Sequence, residues 1–437
     1  MERISMSRMM AALADLGRQY LDRSPRLPPP EEAHRLCDAL LGSEGEASGT
    51  ALARELVVLL ERMSEADRIA FIDMLANDYA PDPAALRAAA NAWLADPSED
   101  TYLVLARAVQ SPRLDLLQRI NMAPGGTAAM VRLREPLLEL MRNRPELRVL
   151  DAEIRHLFTS WFNRGFLQFE RIDWHTPAVV LEKLIAYEAV HEIYGWEDLR
   201  RRLGPDRRCF AFFHPTLPDE PLIFVEVALT RGIAAQIQPL IDIAADSAND
   251  AAPDTAIFYS ISNCQAGLTG ISFGNFLIKQ VVDALKTELP KIGTFATLSP
   301  IPGFCHWIDT VVARGPSDFL SEAEQAELVR PGWATDAARR AALEKTLMRL
   351  CAEYLVRASG NGRPLDPVAR FHLGNGASIA RINWEGDLSD KGLRQSAGLM
   401  VNYRYDPDEI VANHEAFVKD GRVAVSAQVR SLLPRRR

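Results

Sequence analysis

Residues 255–305 constrain the fold of this chain more than any other stretch. Residues 255–262 (TAIFYSIS) are rich in β-branched and aromatic side chains and read as a strand. A loop follows at 263–275 (NCQAGLTGISFGN), carrying Gly267, Gly270 and Gly274. Residues 276–289 (FLIKQVVDALKTEL) place apolar positions at helical spacing, and 293–298 read as a second strand. That strand runs into a stiff turn, Ser299 to Phe304 (SPIPGF), in which Pro300 holds Ser299 extended. Glycines let backbone N–H groups approach an anion closely, and a helix N-terminus adds its dipole. The segment therefore reads as a phosphate cradle with a hydroxyl beside it.

The flanking sequence sets this unit in a two-part chain. Residues 209–213 (CFAFF) and 222–229 (LIFVEVAL) read as two strands joined by a proline-bearing turn at 214–220. A helix over 341–357 and a strand over 378–384 complete a mixed set of elements. Residues 242–255 are small and acidic and read as a surface loop. Before about Asp151 the signals are almost all helical. Residues 55–63 and 66–75 have three- and four-residue apolar spacing. Ser64, Asp82-Pro83 and Ser98 are helix starts, and Thr127 is expected to cap the helix after the Pro124-Gly125-Gly126 break. The expected fold class is α+β. An N-terminal all-helical bundle domain (1–158) is followed by a mixed-sheet domain (159–437).

Composition removes several classes of function. A net charge of -8 and a pI near 5.6 give no basic footprint for nucleic acid, and the terminal Arg435, Arg436 and Arg437 read as a solvated tail. No run reaches the ~20 apolar residues that a membrane helix needs. Glu2, Arg3, Arg8 and Asp15 interrupt the first segment, so no secretory signal is expected and the chain reads as cytoplasmic. Five cysteines, Cys37, Cys209, Cys264, Cys305 and Cys351, lie far apart without a C-x-x-C pair. They read as reduced, mostly buried thiols, with no metal site.

Four stretches carry a family likeness: FYSISNCQAGLTGISFGNFLIKQVV, FATLSPIPGF, FHLGNGASIARINW (371–384) and GLMVNYRY (398–405). In these the chain resembles malonyl-CoA decarboxylase, from about Asp151 onward; residues 1–150 agree only in length and helical character. The resemblance implies an acetyltransferase (GNAT)-like catalytic domain that converts malonyl-CoA to acetyl-CoA and CO2. It implies no cofactor, the CoA moiety being part of the substrate, and a homo-oligomer, tetramer or dimer. By the same resemblance Ser299, His372 and Tyr405 are catalytic. Gln265, Gly267, Thr269, Gly270, Ile271, Ser272, Phe273, Gly274 and Asn275 lie in a loop that resembles the phosphate-binding loop of acetyltransferases and is expected to bind CoA, and Asn375 is a further expected substrate contact. Many eukaryotic members carry an acidic residue where this chain has Ser272, so no catalytic acid is expected there.

The chemistry explains why such residues suffice. The thioester carbonyl is the electron sink, so loss of CO2 leaves an enolate that needs positioned donors and then a proton on carbon. Ser299 is expected to polarise the carboxylate or thioester, or to relay a proton; no acyl-enzyme is needed. His372 is expected to be the acid because an ordinary histidine titrates near working pH. Tyr405 would bond His372 or the substrate carboxylate, and Asn375 and Asn402 are candidate amide donors. His306 and His214 are lesser candidates. The rival reading is an acyl-CoA-dependent N-acetyltransferase, which shares the cradle but needs an amine cleft and a base. A third is an inactive CoA sensor, against which the presence of Ser299, His372 and Tyr405 argues.

Overall fold

A computed structural model describes residues 27–243, 252–271, 277–315, 320–360 and 362–433. The N-terminal residues 1–26, most of the acidic loop (244–251), Ser272, Phe273, Gly274 and Asn275 of the CoA loop, and the arginine tail lie outside the described residues. Two compact units are present. One comprises residues through Gln168 together with 214–218 and 265–273; the other holds the rest of the chain.

The first unit is helical, and its helix starts follow local chemistry. Ser64 accepts the Asp67 N–H at 3.2 Å while Asp67 accepts the Ser64 N–H at 3.3 Å, closing a capping box before the Glu65–Asn77 helix. Asp82 caps the Pro83–Ala95 helix, with Pro83 at its first position where no N–H is needed. Ser98 and Thr101 close a second box before Glu99–Val109. Thr127 is not a cap. Gly125, at φ +80°, precedes the Gly126–Leu140 helix, and the Thr127 hydroxyl bonds Asn121 Oδ1 at 2.7 Å from inside it. The unit's core takes Leu56, Val57 and Leu60 from the Glu46–Arg62 helix and Phe71 and Ile72 from the next. The Glu99–Val109 helix buries no residue.

The second unit is built on a mixed sheet. Its strands are β1 (Gln168–Ile172), β2 (Arg207–Phe213), β3 (Ile223–Thr230), β4 (Thr255–Asn263), β5 (Thr294–Thr297), β6 (Ser299–Pro300), β9 (Ser378–Asn383) and β10 (Met400–Arg404). A separate small ribbon pairs β7 (Ser359–Gly360) with β8 (Arg363–Pro364). The expected hairpin is β2–β3, antiparallel from Arg207↔Ala228 to Phe212↔Ile223, and β3 pairs β4 antiparallel. The direction changes at β5, which runs parallel to β4 after the Leu277–Glu288 helix. β10 runs antiparallel to β5 and β6 on one side and to β9 on the other. Strands β2, β3 and β4 are buried on both faces, which is why CFAFF, LIFVEVAL and TAIFYSIS read as near-continuous apolar runs. The helix expected over 341–357 is two helices, Ala337–Ala342 and Glu344–Val356, because the chain leaves helical geometry at Leu343 (φ -94°, ψ 1°). This is the helical region followed by a mixed-sheet domain that the sequence indicates.

Candidate active site

The sheet forks where the candidate residues meet. β4 and β5 pair only from Thr255↔Thr294 to Phe258↔Thr297, with one further bond from the Leu298 N–H to the Phe258 carbonyl at 2.9 Å. Beyond that point β4 continues beside β3, while the chain after β5 turns onto β10 through Val401↔Ser299 and Met400↔Pro300. A cavity of about 230 Å³ opens between the diverging strands. Phe258, Ser260 and Ile261 line one side, and Ser299, Phe371 and His372 the other. None of its described lining residues carries a fixed charge.

Ser299, His372 and Tyr405 come together there in one hydrogen-bonded chain. His372 Nε2 lies 3.1 Å from Ser299 Oγ, and His372 Nδ1 lies 2.8 Å from the Tyr405 hydroxyl. Ser299 donates to Thr297 Oγ1 at 2.8 Å, and Thr297 Oγ1 also accepts the Tyr403 N–H at 3.0 Å. The Tyr405 hydroxyl has no other partner among the described residues, so donating to Nδ1 satisfies its hydrogen. That assignment leaves Nε2 protonated and pointing at Ser299. The imidazole stacks on the Tyr403 ring at a centroid distance of 4.5 Å.

Burial changes the expected chemistry of His372. The ring is 3% exposed, and loss of solvation pushes its pKa down to about 3. The histidine is therefore neutral at working pH, and the premise of an ordinary near-neutral titration does not hold. Burial likewise holds the Tyr405 and Tyr403 phenols protonated.

The remaining candidates separate. Asn375 ends the Pro367–Gly374 helix, and its Nδ2 turns back to the Phe371 carbonyl at 2.7 Å. Asn402 does not offer an amide donor, because its Nδ2 is held by the carbonyls of Thr297 (2.7 Å) and Ala234 (3.0 Å). His214 is structural: it bonds Thr216 Oγ1 at 2.7 Å and the Trp161 carbonyl at 3.0 Å. His306 faces solvent.

The described part of the 265–275 loop is a tight turn within the helical unit. The N–H groups of Leu268, Thr269 and Ile271 bond the carbonyls of Gln265, Ala266 and Leu268, and the Gly267 N–H donates to Glu135. Between 267 and 271 the Gly270 N–H alone has no partner among the described residues. Gly270 has φ +77°, and open space stands where its Cβ would be. Gly267 is glycine for packing, since a Cβ would run into the Val131 carbonyl. The Thr269 hydroxyl bonds the Ala266 carbonyl at 2.7 Å.

Several residues that organise these parts were not legible as functional. Arg134, 1% exposed, donates to the Gly267 and Thr269 carbonyls at 2.7 and 2.9 Å and to Asp151 at 2.7 Å. Glu188 braces the cavity wall by accepting the hydroxyls of Ser260 (2.7 Å) and Ser262 (3.1 Å) and the N–H groups of Val190 and His191, both at 2.8 Å. No sequence motif marks either one. Asp366 did carry a signal, an Asp-Pro helix start like Asp82-Pro83.

Comparison with known proteins agrees with the family words in the sequence. Residues 165–437 match the model of the malonyl-CoA decarboxylase C-terminal domain, and residues 79–162 match that of its N-terminal domain. The likeness thus begins well ahead of Asp151. The mitochondrial malonyl-CoA decarboxylase of Anser anser anser is 39% identical over 345 residues, spanning 73% of this chain and 68% of that protein. The crystal structure of malonyl-CoA decarboxylase from Rhodopseudomonas palustris is similar with a TM-score of 0.87 and 51% identity, covering 92% of this chain and 99% of that one. The enzyme from Agrobacterium vitis gives 0.85 and 50%, over 92% and 100%. The chain belongs to the malonyl-CoA decarboxylase family, an enzyme family of carboxy-lyases.

Proposed function

We propose that this enzyme decarboxylates malonyl-CoA through a thioester enolate, with Ser299, His372 and Tyr405 as its catalytic residues. The observation that carries the reading is their continuous hydrogen-bonded chain at the wall of an uncharged cavity. The substrate carboxylate leaves water for a wall with no fixed counter-cation among its described residues, which favours its loss as neutral CO2. The electron pair of the breaking C–C bond moves into the thioester carbonyl. The Ser299 hydroxyl, held by Nε2–H of His372, turns from Thr297 to the developing oxyanion. The enolate carbon is basic enough to take a proton from a neutral donor, so no imidazolium is required. The proton passes along the Ser299–His372 pair and is replaced from solvent. No metal or organic cofactor enters this sequence, because the thioester is itself the electron sink.

The loop at 265–275 is read as the CoA phosphate site, with the unpartnered Gly270 N–H as its described donor. Acetyl transfer to an amine has no comparable support. Self-association through the helical unit belongs to the same proposal, supported by an exposed apolar stripe on the Pro83–Ala95 and Glu99–Val109 helices. Five cysteines without a disulfide fit action in a reducing compartment such as the cytoplasm. The direct test is incubation of the purified chain with malonyl-CoA, following acetyl-CoA and CO2 in equal amounts. Release of free CoA instead would mark a hydrolase and overturn the reading.

A further inference from the structure

The two segments that carry Ser299 and His372 share one buried acceptor. Asp366 is 0% exposed and N-caps the Pro367–Gly374 helix, taking the Ala369 N–H on Oδ1 at 2.8 Å. The Val368 and Gly303 N–H groups also favour its charged form, against the burial that raises its pKa. Gly303 closes the turn that begins at Ser299 and itself opens the Phe304–Arg314 helix. On Oδ2, Asp366 faces the Tyr354 hydroxyl at 3.4 Å. Tyr354 packs on Phe304 and Trp307 at centroid distances of 5.8 and 5.2 Å. The seam is tight, since a Cβ on Gly303 would collide with the Tyr354 hydroxyl.

We propose that Asp366 is a positioning residue whose carboxylate ties the turn after Ser299 to the helix bearing His372, and so fixes the Ser299–His372 contact. This rests on the catalytic reading of those two residues. Ser299 and His372 lie 73 residues apart and meet through a single hydrogen bond of 3.1 Å. A carboxylate accepts at both oxygens, here the Ala369 N–H of the helix on one and, on the other, the Tyr354 hydroxyl that packs against Gly303 and Phe304 at the end of the turn. It is already desolvated and already at the N-terminus of the helix, where negative charge is favoured. No ordinary substitute does the same. An asparagine presents a donor on one side, toward N–H or O–H groups that need an acceptor. Asp366 does not line the cavity, so its effect reaches the reaction through the other two residues.

The test compares Asp366→Asn, His372→Ala and the double variant, assayed well below their melting temperatures. Asp366→Asn should lower kcat by roughly 10–100-fold and leave KM for malonyl-CoA within about threefold, the signature of a displaced catalytic pair. In the double variant, Asp366→Asn should add nothing to the His372→Ala loss, because it acts through that contact. Ser321→Ala removes a comparable helix cap from the Glu322–Leu328 helix and serves as the control. It should lower Tm without changing kcat. Near-native kcat for Asp366→Asn, with His372→Ala inactive, overturns the positioning role alone. A full additional loss in the double variant overturns it too. Near-native turnover in His372→Ala overturns the catalytic reading, and this inference falls with it.

Discussion

His372 keeps a single protonation state across the working pH range because its burial forbids the charged one. Its removal should lower kcat by about 10²–10⁴-fold, the usual contribution of a positioned proton-transfer group. Acetyl-CoA should still bind, which calorimetry on His372→Ala would measure. Tyr405→Phe leaves Nδ1 buried without its donor and frees the ring to adopt the other tautomer. Losing that buried bond amounts to about 1–3 kcal/mol, so kcat should fall roughly 10-fold or more; an unchanged kcat would remove Tyr405 from the chain. The same burial has a consequence for stability. Folded His372 is pushed down to about 3, whereas an unfolded histidine titrates near ~6.5. The unfolded state therefore binds more protons between those values. Stability is full above about pH 6.5 and falls as pH drops, by up to about 1.4 kcal/mol per unit for each such group. His191, pushed down to about 4, acts with the same sign. Melting curves should show the decline between pH 7 and 5, with a shallower slope in His372→Asn. A Tm that rose on acidification would contradict the neutral buried ring.

At the scale of elements, the glycine loop separates two roles that one motif conceals. Gly267→Ala drives a methyl into the Val131 carbonyl and should destabilise the helical unit by about 1–3 kcal/mol, as overpacking does. At Gly270 a Cβ meets no described atom, but Gly270→Val must hold φ +77°, a strain of about 1–2 kcal/mol for a side-chain-bearing residue. It should chiefly raise KM, by disturbing the one N–H between 267 and 271 that has no partner among the described residues. Thr269→Ala should do much less, since that hydroxyl bonds only its own turn. Steady-state kinetics and melting curves of the three variants check this. A Thr269→Ala defect equal to that of Gly270→Val would favour side-chain recognition of CoA instead.

For the whole molecule, the expectation of self-association shifts to different residues. Self-association through residues 1–158 is expected from apolar positions such as Leu56, Val57, Leu59 and Leu60, but Leu56, Val57 and Leu60 are buried within the helical unit's own core and Leu59 is half-buried. The exposed stripe lies on the next helical pair, where Leu94 is 70% and Tyr102 60% exposed, with Leu103, Val104 and Val109 alongside. The interface proposed for self-association is placed on this patch. Leu94→Glu with Leu103→Glu should shift the molecular mass in light scattering toward the monomer, with kcat retained. A wild-type chain that is already monodisperse and monomeric would rule the role out.

Features that neighbouring residues decide among themselves are readable along the chain. Capping boxes at Ser64 and Ser98 involve partners three positions apart, and the β2–β3 hairpin and the strand–loop–helix–strand unit are equally local. The family words located Ser299, His372 and Tyr405 because they lie inside those stretches. The tertiary structure alone decided what depends on burial and on distant partners. It made His372 neutral, gave both amide hydrogens of Asn402 to backbone carbonyls, and joined Arg134 to a loop 133 residues away. It also set Arg202 between Asp198 and Glu226, at 3.0 and 2.9 Å, in a buried ion network on β3 that no pattern announces. The physical reason is common to all of these. A side chain's charge state and hydrogen-bond partners follow from the solvent it loses, and the chain loses that solvent only when remote segments close over it.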